Sequence, residues 1–527
     1  MTGGIRNTVC ILLAVVLISS CQGSPGRSVS ADPELRGYDS PLRYPLSLEA
    51  AREAHRRAEL RRHLRFLEAI DPGHLLRATA PLVRQVEIDS GKVPLGTLYE
   101  TGRLLFEHEY SFADGLGARG ASQAAAGGQS PFRRVHQGRF GGPETTTCTS
   151  CHWRGGPAGA GALQDNSFLY GDGDSLESAD PRNPPPLQGV GVVEVLAQEM
   201  SAELQSLRAS LQLEARRQGR EVVGELTSKG VTFGVLRVAA DGTVDTTGVE
   251  GVDPDLVIRP FGWKGTFATL RDFVKESLQV HLGIQSEGLV QDHKRHPDPE
   301  LVGSGTDPDD PDGDGVRDEL TAGQLTALIS FLAMQEMPVV RPPETLHDFA
   351  PVAKNVLAPT ATVFLDDWTR GKQLFDELEC STCHVPRMVL KDPVFRTRSA
   401  TTGEVLQIDL SRVGERPRLQ YDPRLKGYPV WLFSDLKRHD LGERSASRHV
   451  DHGVPRQVYQ TRRLWGLASS PPYFYDGHAP WFDQAISAHG AEAEMSATAY
   501  SALMYEDKGA LRVYLLSLRR ERRLIVP

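Results

Sequence analysis

The strings Cys148-Thr149-Ser150-Cys151-His152 and Cys380-Ser381-Thr382-Cys383-His384 decide how this chain reads. Each is C-x-x-C-H, in which two thiols add to the vinyl groups of a haem and the adjacent imidazole falls beneath the iron. Covalent linkage requires the two sulfurs and the histidine to be that close, and the pattern occurs twice. Two covalently bound haem c groups are therefore the expected cofactors. Cys148, Cys151, Cys380 and Cys383 are the attachment points, and His152 and His384 the proximal iron ligands. C-x-x-C also occurs as half of a zinc site or as a thioredoxin-like redox pair. Neither needs the following histidine, and a zinc site would have to join halves lying far apart in the chain.

The chain has six cysteines in 527 residues. Cys10 sits in the apolar run Val9 to Ile18 behind Arg6, a run with the length of a signal-peptide core and too short to span a bilayer. It ends Leu17-Ile18-Ser19-Ser20-Cys21, which looks like a bacterial lipobox with Cys21 as the lipidated first residue of the mature protein. A plain signal peptide is the alternative. Haem is attached outside the cytoplasm, so the expected location is periplasmic, with membrane contact only through a lipid anchor. No thiol remains for a structural disulfide. A net charge of −9 argues against nucleic acid as a partner and suits a basic electron carrier. Aromatic residues make up 7% while glycine and proline are plentiful, as expected of a loop-rich protein wrapped around its cofactors.

Around the two motifs the chain repeats itself. Gly102-Arg103-Leu104-Leu105-Phe106 and Gly371-Lys372-Gln373-Leu374-Phe375 each lie on an amphipathic helix before a motif. After it come Leu187-Gln188-Gly189-Val190-Gly191 and Leu464-Trp465-Gly466-Leu467-Ala468, then Trp263-Lys264-Gly265 and Tyr475-Asp476-Gly477. Each half closes with an apolar helix, Leu325 to Met334 and Leu511 to Leu518. The predicted fold is mainly α, with two cytochrome c-type haem domains in tandem, long loops, and a small β-hairpin insertion in the first. The hairpin is expected from Val231 to Val238 and Thr243 to Val249 about Asp241-Gly242, after a charged helix over 194–217. The expected segments are a lipoprotein signal peptide (1–20), an N-terminal helical or stalk region (21–95), the first domain with its insertions (96–340), a Pro-rich linker (341–365) and the second domain (366–527). The stalk is expected to carry a charged helix over 47–69, and a Gly/Ala/Ser-rich loop is expected over 115–128.

These residues resemble the bacterial di-haem cytochrome c peroxidase superfamily, and more closely the di-haem oxidoreductases often labelled thiol oxidoreductase-like. The strings that carry the resemblance include Gly189-Val190-Gly191-Val192-Val193-Glu194, Phe261-Gly262-Trp263-Lys264 and Ser434 to Gly442. To these are added Leu464-Trp465-Gly466-Leu467, Tyr475 to Ala479, and Ala485-Ile486-Ser487-Ala488-His489-Gly490. The resemblance runs from about Gly102 to the end. Two departures are the first insertion and Tyr475, where the family often has histidine.

The resemblance implies a periplasmic di-haem oxidoreductase of peroxidase type. Electrons would come from a small c-type cytochrome or other periplasmic donor to the C-terminal haem. They would pass to an open N-terminal haem that reduces hydrogen peroxide or a similar oxidant. A non-catalytic electron-transfer cytochrome and a di-haem oxygenase or protein-modifying oxidase are the rival readings. The position where the peroxidases place the distal methionine of the C-terminal haem is His489 here. A His/His iron sits at lower potential than a His/Met iron. The alternative makes His489 a surface residue, with Met495 or His439 as ligand, and His478 is expected to line the pocket or contact a propionate. Ser277 aligns with His489 in the duplicated helix, and serine is a poor iron ligand. His281, one turn beyond Ser277, is a candidate distal acid/base or switchable ligand, or else an ordinary half-buried histidine. Glu276 is a second acid/base candidate, with a solvated helix charge as its alternative. Trp263 resembles the aromatic between the haems, with simple packing as its alternative. Finally, Asp310, Asp312, Asp314 and Asp318 alternate as in calcium loops, although Thr321 stands where the usual glutamate would be. A plain acidic turn is the other reading of that stretch.

Overall fold

The computed structural model describes residues 83–117, 135–137, 144–171, 175–295, 307–312, 315–340 and 361–520. Cys21 and its signal-like segment, the helix expected over 47–69, residues 118–128 of the Gly-rich stretch, residues 341–360 of the linker, and Asp314 lie outside the described residues.

In the first half, α1 (Leu95–Glu107) precedes the motif, whose cysteines bound a helical turn, Cys148–Cys151. Then follow α2 (Val190–Gln218), α3 (Leu270–Ser277) and α4 (Ala322–Ala333). In the second half, α5 (Ala361–Glu377) leads into the matching turn Cys380–Cys383. The short α6 (Phe482–Ser487) and α7 (Tyr505–Leu516) come near its end. The predicted charged helix is α2. It begins at Gly189 and stops at Gly219, both with left-handed backbone, and Gly219 N–H closes the last turn on the Ala215 carbonyl. Val190 to Ala197 are buried, Met200, Ser201 and Leu204 continue the buried face, and most of the charged remainder runs out over the surface.

Each half contains one close helix crossing, α1 on α4 and α5 on α7. Leu98, Tyr99, Leu105 and Phe106 recur on one face of α1 and supply its apolar stripe. α4 is mostly apolar and almost wholly buried, started by a reciprocal cap between Thr321 and Gln324. The glycine of each repeated signature lies at the crossing. A Cβ on Gly102 would meet the Ala327 carbonyl and lie 2.6 Å from Phe331 Cβ; on Gly371 it would meet the Ala510 carbonyl and lie 2.8 Å from Tyr514 Cβ.

Short sheets fill the insertions. β1 (Val222–Ser228), β2 (Val231–Val238) and β3 (Val244–Asp245) form an antiparallel sheet packed on α2, with Val222 opposite Val238 and Val238 opposite Val244. Asp241-Gly242 makes the β2–β3 turn. The extra strand β1 comes from the segment after Gly219, where polar residues break up the alternation.

After the second motif come β4 (Met388–Leu390), β5 (Val394–Arg398), β6 (Val405–Asp409) and β7 (Tyr428–Val430), paired as β4 with β7 and β5 with β6. Met388, Leu390, Phe395, Ile408 and Val430 are buried in the same apolar cluster as the first half's helices. A separate cluster, with Leu374, Phe375, Tyr500, Leu511 and Tyr514, holds the second crossing. Lastly β8 (Arg438–Asp440) pairs antiparallel with β9 (Val458–Gln460). Among the described residues no helix is long and apolar enough to cross a membrane.

Candidate functional site

Each C-x-x-C-H string opens onto its own cavity. Cys148, Cys151 and His152 line one of about 370 Å³. Cys380, Cys383 and His384 line another of about 310 Å³. The walls are mainly apolar: Phe106, Phe267 and Leu332 in the first, Phe375, Leu464 and Leu511 in the second. The phenylalanines of the repeated signature therefore face the two cavities in equivalent places. Trp263, Asn183, Pro184 and Pro185 line both. Trp263 is fixed there by its indole N–H, which donates to the Asn183 carbonyl at 2.9 Å, and by the Arg462 guanidinium stacked 4.1 Å from its ring.

The motif histidines are prepared as ligands. His152 Nδ1 donates to the Gly159 carbonyl at 3.1 Å, and His384 Nδ1 to the Phe433 carbonyl at 3.1 Å. A carbonyl only accepts, so each ring keeps its proton on Nδ1 and turns the Nε2 lone pair to the cavity. Burial pushes both imidazoles down to about 4, which keeps them neutral. Paired thiols, a neutral imidazole and an apolar slot are the donor set and surroundings that a covalently held haem needs. The residues present fit that group in both halves.

The second cavity has a matching imidazole opposite. The rings of His384 and His489 are 6.4 Å apart at their centres and inclined by 64°. His489 Nδ1 donates to the Ala485 carbonyl within α6 at 2.8 Å, so its Nε2 also faces inward. The two rings are too far apart to touch, and His384 and His489 are the residues that would hold a haem iron in this cavity. The alternatives are less well placed. Met495 is 79% exposed and lies outside the lining. His439 borders the cavity, but its Nε2 is bound to Asp435 at 2.8 Å and its Nδ1 to Glu492 at 2.7 Å. His439, Asp435 and Cys383 come close enough to suggest a metal site, yet Cys383 belongs to the haem motif. His478 pairs with Asp476 and is not part of the lining.

The first cavity is different in kind. α3 continues as a π-helical turn, Leu278–Leu282, a distortion common at functional sites. Ser277 and His281 both line the cavity. Ser277 Oγ is turned back onto the Phe273 carbonyl at 2.8 Å. His281 Nδ1 donates to the Glu144 carboxylate at 2.6 Å, and the two main chains are tied by Glu144 N–H to the His281 carbonyl at 2.9 Å. Glu144, only 8% exposed, also accepts from Phe168 N–H. Sequence reading missed Glu144. Its position four residues before Cys148 has no pattern to mark it. Glu276 lines the same cavity, 3.9 Å from His452 of the second half.

Two residues from the resemblance strings hold this wall in place. Glu194 is buried, which pushes its carboxyl up to about 8, and it accepts the Leu270 N–H at the start of α3 at 2.6 Å. Lys264 is fully buried, and its Nζ donates to the carbonyls of Pro455, Arg456 and Val458. It thereby anchors the chain that carries His452. The calcium-like stretch carries less. Asp310 and Asp312 are buried, Asp318 is exposed, and among the described residues these carboxylates do not gather into a three-ligand group.

Residues 357–518 match the model of a family described as "di-haem oxidoreductase, putative peroxidase". The chain's resemblance to the di-haem oxidoreductases is shown over those residues, with haem the implied cofactor and peroxidase-type oxidoreduction the implied activity. No curated protein matches the chain.

Proposed function

We propose that the chain is a periplasmic, lipid-anchored di-haem oxidoreductase. It takes electrons from a small c-type cytochrome or similar donor through the second cavity and reduces hydrogen peroxide or a like oxidant in the first. Haem held at Cys148/Cys151/His152 and Cys380/Cys383/His384 would supply one-electron redox change and, where a coordination position is open, a place for a small oxidant.

One contrast supports this reading. The distal imidazole of the second cavity is pinned to a main-chain carbonyl, and that of the first to a carboxylate. A carbonyl locks His489 as a neutral ligand. A carboxylate fixes the His281 ring at the wall of the first cavity, where a distal acid/base must stand. Trp263, the aromatic residue among those lining both cavities, would carry electrons between them.

The test is electron paramagnetic resonance of the oxidised, haem-loaded protein beside His489→Ala, with peroxide turnover by a reduced c-type cytochrome. One low-spin signal is expected to change in the variant, and a ligand-accessible signal to remain. Unchanged low-spin signals would remove His489 as a ligand. Two saturated sites with no turnover would make the protein a carrier.

A further inference from the structure

The first cavity has a second acid–base wall, and the other half of the chain builds it. Asp451 and His452 lie in the turn between β8 and β9, and both line the first cavity. Asp451 Oδ1 accepts from His452 Nδ1 at 2.6 Å and from the Tyr170 hydroxyl at 2.9 Å. Its Oδ2 stands 3.7 Å from Arg182, which also approaches Asp180 at 3.5 Å. Burial alone would raise the Asp451 carboxyl, but His452 and Arg182 hold it down to about 2, so it stays an anion. With Nδ1 committed to Asp451, His452 presents Nε2 to Glu276 Oε1 at 3.9 Å. That separation lies just beyond direct hydrogen-bond reach. The Phe267 ring meets His452 edge-on at 5.0 Å, and the His449 ring lies 6.1 Å from Tyr170. His452 is 24% exposed and Glu276 17% exposed.

We infer that His452, oriented by Asp451, and Glu276 form a proton relay into the first cavity, separate from Glu144–His281. The inference rests on the peroxidase reading for its purpose. Reducing hydrogen peroxide breaks one O–O bond, takes two electrons from the donor and two protons from solvent, and yields two waters. His452 would pick up protons from solvent at Nε2 and pass them to the Glu276 carboxylate at the cavity wall, leaving His281 to move the proton at the oxidant itself. Glu276 thus keeps the acid/base role read from the sequence. His452 and Asp451 are additions, and Asp451 is a positioning residue.

The test uses hydrogen cyanide as a probe, because it must lose its proton on binding to ferric haem. Association is followed by absorbance in the haem-loaded wild type, His452→Gln and Asp451→Asn between about pH 5 and 8, the range in which histidine titrates. The wild type is expected to bind faster as pH rises through an inflection. His452→Gln should lose that inflection and bind about 10²-fold more slowly. Asp451→Asn should keep it but move it to lower pH, because the amide no longer stabilises the imidazolium. Equal melting temperatures and spectra across the three proteins exclude a folding defect. An inflection that survives His452→Gln belongs to Glu144–His281 and overturns the relay, as would failure of cyanide to bind at all. If the variants behave as expected but the wild type does not reduce peroxide, the relay stands and the reaction assigned above falls.

Discussion

His281→Ala is expected to lower peroxide turnover by about 10²- to 10⁴-fold, the usual loss when a positioned acid/base is removed. Reduction of the second site by the donor should continue at the wild-type rate. The imidazole faces the cavity beside His152, and Glu144 fixes it through both side chain and main chain. Its loss leaves no group at that place to move a proton. Glu144→Gln should cost less, since an amide still accepts from Nδ1 but no longer supports a positive ring. Steady-state assays with peroxide separate the two variants, and rapid mixing with reduced donor alone reports the second site. Full turnover in His281→Ala would leave this histidine an ordinary wall residue.

Gly371→Ala and Gly102→Ala are each expected to destabilise the protein by about 1–3 kcal/mol, because a new methyl group meets a carbonyl across a helix crossing. The loss should lower the unfolding midpoint by roughly 2–4 °C per kcal/mol. Gly509→Ala on α7 is the control. A Cβ there meets nothing within 4 Å, so the same substitution should stabilise by roughly 0.5–1 kcal/mol. The two damaging variants should also differ in their spectra. Displacing α5 moves Phe375 at the second cavity, whereas displacing α1 moves Phe106 at the first. Equal midpoints for Gly371→Ala and Gly509→Ala would mean that the crossing tolerates a wider separation.

What the sequence reveals here follows from what is local. A covalent motif, a helix signature with a glycine at a fixed offset, and the Asp241-Gly242 turn each write their chemistry into adjacent residues. His489 emerges from the resemblance to the peroxidases, at the position where they place a distal methionine. Glu144 and Asp451–His452 stay hidden because their partners come through folding. Asp451 meets Tyr170 at a separation of 281 residues, and Glu144 meets His281 at 137. The π-turn at Leu278–Leu282 is likewise silent, since an extra residue in a helical turn leaves no change of composition. Lys264 and Glu194 could be quoted as parts of strings, but their task is to bind main-chain groups of distant segments. No side-chain pattern announces such a bond.

Because Met388, Leu390, Phe395, Ile408 and Val430 complete the apolar interior of the opposite half, the two halves cannot be severed without exposing it. Cutting the polypeptide between them would yield a nicked particle that stays together until denatured. A gene truncated there would encode a fragment with an open greasy wound, prone to aggregate.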